Sequence, residues 1–445
     1  MSSLARRAFT AISLAAFLSG AAAGQLLPSL PQVQLPPIGA PGGATLRVLG
    51  SALQDVLRQS ETREVVQPTL DSVAGLPPAL ADAGSATLLE LRKLRLRALV
   101  RENSRELEAD SAGQPVRRGF LVALAPDAGS LQQALRAGFR VVADERYPDL
   151  GLRVVSFAVP HGLTARAGLK RLKSVAPAID ADFDHVFEPA GSALLPVAGM
   201  LAAASASNSG VRLGMIDGGV ASHPSLAGAA VEQNGFAGSP QPTGHGTAVA
   251  SLLVGNQGPF LGAARGASLL VADVYGGSRA AGSATAVVRA LGWLAAKRVA
   301  VINISLVGPQ NRLVARAVQA VRGRGIGIVA AVGNDGPAAP PQYPASYPGV
   351  LAITGVDARG RALPEAGKAT HIDFAAPGAD MAAALPGQGY AKVRGTSFAA
   401  PLAAARLALA GPRRLAGEAT PGRGRVGRGI LCGTCRIDPK IVRAR

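Results

Sequence analysis

The stretch Leu213-Gly-Met-Ile-Asp217-Gly-Gly-Val220 is a short apolar run that ends in a carboxylate and two glycines. Runs of this kind, bounded by turn residues, are typical of strands buried in a parallel sheet. From residue 211 onward they alternate with helical patterns, which predicts an α/β domain over residues 211–410, with a mostly parallel sheet flanked by helices. The predicted strands are 211–216, 268–274, 299–305, 325–332 and 350–354, and the predicted helices are 247–254, 283–297, 312–323 and 398–409.

Two further motifs place a reactive side chain at the start of a predicted helix. His245 lies in Gly244-His245-Gly-Thr-Ala-Val-Ala-Ser251, and Ser397 lies in Gly395-Thr-Ser397-Phe-Ala-Ala-Pro401. Taken singly, an Asp at a strand end is a turn former, a His beside Gly is a surface or core residue, and a Ser before a helix is an N-cap. Together, in the chain order Asp217, His245, Ser397, they follow the order of the subtilisin catalytic triad.

These three residue types suit nucleophilic catalysis. A serine hydroxyl is a poor nucleophile at neutral pH and needs an adjacent base. Histidine can take and return the proton near neutral pH, and a buried carboxylate fixes the tautomer of the imidazole. The tetrahedral intermediate also needs fixed donors for its oxyanion. The candidate donors are the backbone N–H of Ser397 and the side chain of Asn334, in Ala330-Ala-Val-Gly-Asn334-Asp-Gly-Pro337.

Residues 211–410 resemble the catalytic domain of the subtilisin-like serine peptidases, the subtilases. The blocks that carry the resemblance, in the family's order, are the Asp217 strand, Gly244-His245-Gly-Thr247, the Asn334 loop, Asp373-Phe-Ala-Ala-Pro-Gly378 and Gly395-Thr-Ser397. The resemblance implies a serine endopeptidase that hydrolyses proteins or peptides through an acyl-enzyme on Ser397. It implies no cofactor for catalysis.

The same resemblance marks a substrate groove and several departures from the family. The family strand that pairs with substrate resembles Val301-Ile-Asn-Ile-Ser305-Leu306, so the groove is expected to be lined by Ser305, Leu306, Val307 and Gly333. Gly218 stands where the family usually has Ser or Thr, so we expect one hydrogen bond near Asp217 to be missing. Val307 replaces a usual Gly and Phe398 a usual Met, and neither removes a catalytic group. No Asp cluster matches the family's calcium sites, which leaves structural calcium open.

Residues 115–188 are predicted to form a smaller unit with the order βαββαβ, a ferredoxin-like arrangement. This unit resembles the inhibitory propeptide that many subtilases carry. Residues 189–210 are rich in small residues and are predicted to be a linker. The resemblance implies a zymogen that cleaves itself between residues 188 and 210, with its own propeptide as an intramolecular inhibitor.

The first 114 residues contain two predicted segments. Residues 1–23 have the pattern of a signal peptide, with Arg6 and Arg7, an apolar run over 8–18 and three alanines at 21–23, which predicts a periplasmic or secreted protein. Residues 24–114 are predicted to be a Pro/Gly-rich linker followed by a basic helix, with Arg or Lys at 92, 93, 95, 97, 101 and 105. Because its apolar positions form no single stripe, we expect a solvated helix, the alternative being contact with an anionic lipid surface.

The net charge of the chain bears on which class of partner it could bind. It is +18 over 445 residues, and a basic balance can indicate a polyanion as partner. The sequence contains no nucleic-acid-binding motif, so we expect no nucleic-acid partner and a solvated basic surface. Residues 411–445 are predicted to be a basic tail, in which Cys432 and Cys435 form either a local disulfide, as in exported proteins, or a pair of free thiols.

Two other functions remain open from the sequence. A catalytically silent member of the family would bind peptides without cleaving them; Gly218 and Val307 support it, whereas the intact triad with Asn334 opposes it. A membrane- or polyanion-binding envelope protein would instead act through the basic helix.

Overall fold

The computed structural model describes residues 85–190, 192–197, 210–387 and 389–442. The signal peptide predicted at 1–23 and the linker predicted from residue 24 lie outside the described residues, as does most of the linker predicted at 189–210. None of the helices in the described ranges is both long enough and apolar enough to span a membrane.

The N-terminal unit contains the predicted βαββαβ order, preceded by one helix and one short strand. Its elements are α1 (Ser85–Glu102), β1 (Leu107–Ala109), β2 (Pro115–Leu124), α2 (Ala128–Arg136), β3 (Arg140–Tyr147), β4 (Leu152–Ala158), α3 (Ala165–Val175) and β5 (Asp180–His185). The antiparallel sheet has the order β3-β4-β2-β5, with both α2 and α3 contributing to one apolar core with Leu121 and Phe157. Strand β1 also pairs with β2, so the unit begins earlier than residue 115.

Helix α1 is not a solvated helix, and that prediction is wrong. It buries Leu88, Leu96 and Leu99 together with the side chain of Arg92. The apolar pattern does not reveal this buried face because one of its positions is an arginine. A buried arginine needs a carboxylate partner, and here that partner comes from a distant part of the chain. That partner is Asp335, at 3.0 Å from Arg92 Nε.

The larger domain is built on a sheet of seven parallel strands. Its elements, with two short strands that precede it, are β6 (Glu188–Pro189), β7 (Ser192–Val197), β8 (Arg212–Asp217), β9 (Val231–Gly235), α4 (Gly244–Val254), β10 (Asn256–Gln257), β11 (Phe260–Leu261), β12 (Ser268–Asp273), α5 (Ala284–Ala296), β13 (Val301–Ile304), β14 (Leu306–Val307), α6 (Arg312–Gly323), β15 (Gly327–Ala331), β16 (Leu351–Val356), β17 (Phe374–Pro377), β18 (Met381–Ala384), β19 (Tyr390–Arg394), α7 (Thr396–Ala410) and α8 (Pro412–Leu415). The strand order is β17-β16-β15-β13-β8-β12-β9. This confirms the predicted parallel α/β architecture and adds β9 and β17 to the five strands predicted from the sequence.

Successive residues of the parallel strands point to opposite faces of the sheet, and each face is covered by helices. Met215 of β8 lies in an apolar cluster with residues of α4 and α7, whereas Ile216 lies in a second cluster with residues of α5 and α6. Helices α4 and α7 are rich in Ala and Gly, which lets them approach the sheet and each other closely. The first turns of both helices therefore sit near the end of β8.

The segments predicted to be a linker and a basic tail both contact the larger domain. Part of the predicted linker forms β7, which joins β18 and β19 in a small sheet. The predicted basic tail packs on the domain: Leu431 donates its N–H to Ala375 O, and Ala382 donates to Ile437 O. Cys432 and Cys435 form the local disulfide. The tail is basic overall, but its isolated apolar residues Leu431, Ile437 and Val442 pack into the core of the domain.

The N-terminal unit contacts the larger domain at the starts of two helices. Asp184 Oδ1 accepts the N–H of Thr285 in α5, and Asp182 Oδ2 accepts the N–H of Arg312 in α6. Carboxylates are favourable there because the first N–H groups of a helix lack intrahelical partners and carry a partial positive charge.

Candidate active site

Asp217 is the last residue of β8 and is held in the interior of the sheet. The strand has parallel neighbours on both sides, β12 and β13, so its end cannot reach solvent. The carboxylate is 1% exposed. Its Oδ1 accepts the N–H of Gly218 at 2.7 Å, while Oδ2 has no hydrogen-bond partner among the described residues.

His245 is placed by the first turn of α4. Thr243 caps this helix by accepting the N–H of Gly246 at 2.9 Å. His245 Nδ1 lies 2.8 Å from Asp217 Oδ1, and because an ionised carboxylate only accepts, Nδ1 carries the proton. Nε2 is then free to accept the Ser397 hydroxyl proton, across 3.0 Å. The ring packs against Phe398, with ring centroids 5.4 Å apart.

Ser397 lies in the first turn of α7, where a proline changes the local hydrogen bonding. Pro401 has no N–H to donate to the carbonyl of Ser397 four residues earlier. That carbonyl instead accepts the hydroxyl of Ser305 at 3.0 Å, and Asn303 Nδ2 donates to the same hydroxyl at 2.9 Å. Proline thus exchanges a helical bond for one that ties the nucleophile's backbone to the end of β13.

The side chain of Asn334 lies beside the first turn of α7, which carries Ser397. Its Oδ1 accepts the N–H of Thr396 at 3.0 Å, which leaves Nδ2 directed outward as a donor. Nδ2 donates to the carbonyl of Ala190, which belongs to the segment between the two folded units. The adjacent Gly333 has a φ of 89°, a conformation that favours glycine, and its N–H donates to the Thr396 hydroxyl. The arrangement can donate to a carbonyl oxygen that gains negative charge.

Residues 186–190, here called the groove segment, lie in an extended conformation beside these groups. Strand β6 of this segment pairs antiparallel with β14. The N–H of Ala190 donates to Ser305 O at 2.9 Å, and the N–H of Phe187 donates to Gly282 O at 2.7 Å. The groove segment is therefore held between the chain around residue 282 and β14.

The four residues predicted to line the groove have different roles. The backbones of Ser305, Leu306 and Val307 contact the groove segment, but the Ser305 hydroxyl serves Ser397. Gly333 lies behind the groove, where a Cβ would be 3.4 Å from Val307 Cγ1. The sequence alone identified neither Gly282 nor Gly308, which leave room for the groove segment.

A pocket for Phe187 is the feature that sequence reasoning missed. A Cβ on Gly308 would lie 2.5 Å from Phe187 Cδ1, so only glycine fits there. Tyr275 completes the pocket, and its hydroxyl donates to Phe187 O at 3.1 Å. Burial, reinforced by the charges of Asp217 and Glu188, raises the pKa of Tyr275, so the phenol keeps the proton that it donates.

The described residues contain no cluster of the side chains that most often bind metal ions. No group of three or more His, Cys, Asp or Glu residues in the described ranges is placed to hold one. The chemistry that the geometry supports uses Asp217, His245, Ser397 and Asn334: a serine activated by a histidine, beside a donor for an oxyanion.

Gly218→Ala is expected to lower the free energy of unfolding by about 1–3 kcal/mol, as overpacking of a core does. An added Cβ would lie 2.4 Å from Thr243 Oγ1 and 2.7 Å from Thr243 Cγ2. Thr243 cannot turn away without losing the cap of α4. Urea unfolding of the variant, in a Ser397→Ala background that removes the nucleophile, measures the loss.

Gly323→Ala is the matched control for this measurement. Gly323 ends α6, and a Cβ there meets nothing within 4 Å. The control should be neutral or slightly stabilising, because alanine restricts the unfolded chain. Equal stability of the two variants would show that Thr243 accommodates the methyl group.

The chain is similar in sequence to known serine peptidases. The Subtilase family model matches residues 208–415. The chain is 33% identical to Subtilisin Savinase of Lederbergia lenta over 206 residues, which is 45% of this chain and 76% of the relative. It is 35% identical to the Major intracellular serine protease of Bacillus subtilis over 176 residues, which is 37% of this chain and 54% of the relative.

A solved structure shares the fold. Fervidolysin from Fervidobacterium pennivorans, a keratinolytic enzyme related to subtilisin, superimposes with a TM-score of 0.61 at 18% identity, over 74% of this chain and 62% of its own. Since 33% identity extends over 76% of a subtilisin, this chain belongs to the subtilase family and is a subtilisin-like serine peptidase.

Proposed function

We propose that the chain is an exported zymogen that cleaves its own bond between residues 190 and 191 and then acts as an endopeptidase. The observation that carries the proposal is the carbonyl of Ala190, which accepts the amide of Asn334. The N–H of the same residue donates to Ser305 O at 2.9 Å. A residue held by both its N–H and its carbonyl oxygen, beside an activated serine, has the orientation of a substrate.

The geometry supports acyl transfer at that carbonyl. Ser397 Oγ attacks the carbonyl carbon of Ala190 while His245 Nε2 takes the hydroxyl proton. The oxygen becomes an oxyanion that Asn334 Nδ2 stabilises. His245 then returns the proton to the leaving nitrogen of residue 191, which breaks the peptide bond and leaves an acyl-enzyme. Water, activated by the same imidazole, hydrolyses this ester and restores the Ser397 hydroxyl.

The groove segment also supports a proposal on inhibition. It is the C-terminal end of the folded unit that begins at residue 85, so it remains attached to that unit after cleavage. The unit contacts the peptidase domain through Asp182 and Asp184 and would keep the segment in the groove as a product-like inhibitor. We propose that other protein substrates enter only when the unit leaves.

Export rests on the sequence pattern of residues 1–23, which lie outside the described residues. The local disulfide between Cys432 and Cys435 agrees with an oxidising compartment. Contact of the basic helix with anionic lipid is less well supported, because Arg92 and Arg95 of α1 form ion pairs within the protein.

The wild-type chain should yield a mature enzyme with residue 191 at its N-terminus, whereas Ser397→Ala should lose only the signal peptide. The reason is that self-cleavage needs the nucleophile, whereas signal removal depends on another enzyme. Intact mass and N-terminal sequencing of purified proteins measure both. Trimming of Ser397→Ala at residue 191 in a purified system would mean that a different peptidase matures the chain.

Asn334→Ala should slow self-cleavage by about 10²–10³-fold, the usual effect of removing one donor from an oxyanion hole, as measured in subtilisin. Self-cleavage is a single turnover within one molecule, so its rate reports the chemical step. Gel analysis over time after refolding gives this rate. A decrease of less than about tenfold would show that Nδ2 only positions the segment.

Peptides with Ala before the scissile bond should be cleaved faster than those with Phe, on the order of 10–200-fold, the range for small misfits in an apolar pocket. Ala190 and Val307 lie in one buried apolar cluster, and the β-branched Val307 cannot easily swing away. Val307→Gly should accelerate cleavage after Phe and change cleavage after Ala little, as values of kcat/KM will show. Equal cleavage after Ala and Phe by the wild type would assign Val307 to packing alone.

A further inference from the structure

We propose that helix α1 is a strap that locks the groove segment in place, through one guanidinium shared between the segment and the peptidase domain. The strap precedes the βαββαβ elements in the chain and contacts the groove segment through Arg95 and Leu99. This inference rests on the proposed self-cleavage for its role in activation. The contacts themselves are independent of that role.

Arg95 is the shared guanidinium. Its Nη2 lies 3.0 Å from Asp335 Oδ1 and 3.4 Å from Glu188 Oε2, and its Nε lies 3.4 Å from Glu188 Oε1. Glu188 belongs to the groove segment, whereas Asp335 follows Asn334 in the peptidase domain. One turn earlier in α1, Arg92 donates from Nε to Asp335 Oδ2 at 3.0 Å and from Nη2 to Gln114.

These ion pairs are shielded from water. The side chains of Arg92 and Asp335 are each 7% exposed, Glu188 is 9% exposed and Arg95 is 22% exposed. Burial by itself would lower the pKa of Arg95, but the attraction of Asp335 and Glu188 outweighs it and the net pKa is raised. Screened surface pairs contribute little, whereas removing one partner of a buried pair leaves an uncompensated charge.

Apolar contacts place the strap against both walls of the groove. Leu99 packs in one cluster with Val186 of the groove segment and Ala280 of the peptidase domain. At the other end of the helix, Leu88 covers Gly336, where an added Cβ would lie 2.8 Å from Leu88 Cδ1. The strap therefore contacts the groove segment and the chain on either side of it.

The charges explain how the strap controls release. Glu188 and Asp335 are two buried carboxylates that contact the same Nη2 atom. With α1 in place, the cation between them attracts both. Without the guanidinium of Arg95, the two carboxylates lose the cation that attracts both and repel each other as like charges. Cleavage at residue 190 leaves Glu188 and Arg95 on one fragment and Asp335 on the other, so the fragment stays bound until α1 detaches.

Hydrogen exchange in the full-length Ser397→Ala protein tests the strap without any cleavage. Arg95→Ala should increase exchange on the order of 10²-fold in both α1 and the groove segment, the fold-change that corresponds to losing one partner of a buried ion pair. Arg97→Ala is the matched control, since Arg97 is an exposed arginine of the same helix. It should change exchange less than twofold. Unchanged exchange in β8 shows that the variants remain folded.

A second substitution distinguishes the charge mechanism from simple loss of packing. Adding Glu188→Gln to Arg95→Ala removes one of the two facing carboxylates, so it should restore part of the protection of the groove segment. No restoration would overturn the repulsion argument. Faster exchange in α1 with a fully protected groove segment would overturn the coupling between them, as would equal exchange in the Arg95 and Arg97 variants.

The same variants in the active protein link the strap to activation. Self-cleavage is followed on gels, and released activity is followed with a fluorogenic peptide that has Ala before the scissile bond. Arg95→Ala should shorten the delay between cleavage and activity at least tenfold, whereas Arg97→Ala should not. Equal delays would overturn the strap. If no fragment ends at residue 190, self-cleavage at this bond is wrong, and the exchange measurements still decide whether the strap exists.

Discussion

The 2.8 Å hydrogen bond between Asp217 and His245 depends on a carboxylate held where water does not reach it. Desolvating such a group is costly unless N–H donors and a rigid position compensate. Here Oδ1 accepts two N–H groups, and the parallel strands on either side of β8 fix the residue in the sheet. The orientation of the imidazole follows from this constraint, and so does the direction of its Nε2 toward Ser397. The sheet thus fixes the position of Asp217, and the side chains from the two helices are oriented relative to it.

The elements that the sequence predicted well are those with a strong local signal. The apolar runs around Asp217 and Ser305 are long enough to read as buried strands, and the helix 312–323 agrees with α6 residue for residue. The strand β9 was not predicted because it is polar, and β17 was not predicted because its apolar run is only four residues long and ends in proline. Their pairing depends on the neighbouring strand, which is not a local property. The triad positions were predictable because each lies at the end or the start of an element with a strong local signal.

What the sequence could not provide are contacts between distant parts of the chain. Arg95 reads as one of several basic residues on a helix, and Asp335 as an acidic residue after Asn334. Only the fold brings them within 3.0 Å. The roles of Gly282 and Gly308 were equally unpredictable. No sequence pattern marks these two glycines, yet the groove segment fits only because they lack side chains. Charge partners and empty space are both set by tertiary structure, so sequence periodicity carries little information on either.

An inhibitor that is also a substrate must satisfy two opposing requirements. It must hold one carbonyl beside the nucleophile closely enough to be cleaved, and it must leave when cleavage is complete. The groove segment divides these tasks among its residues. Ala190 presents the carbonyl through two hydrogen bonds and little side chain, whereas Phe187 fills a glycine-walled pocket three residues away. The backbone of Glu188 pairs with β14, whereas its carboxylate is linked to Asp335 of the peptidase domain through Arg95. Affinity that depends on a third group can be removed without changing the site, which is why a helix outside the groove is well placed to control it.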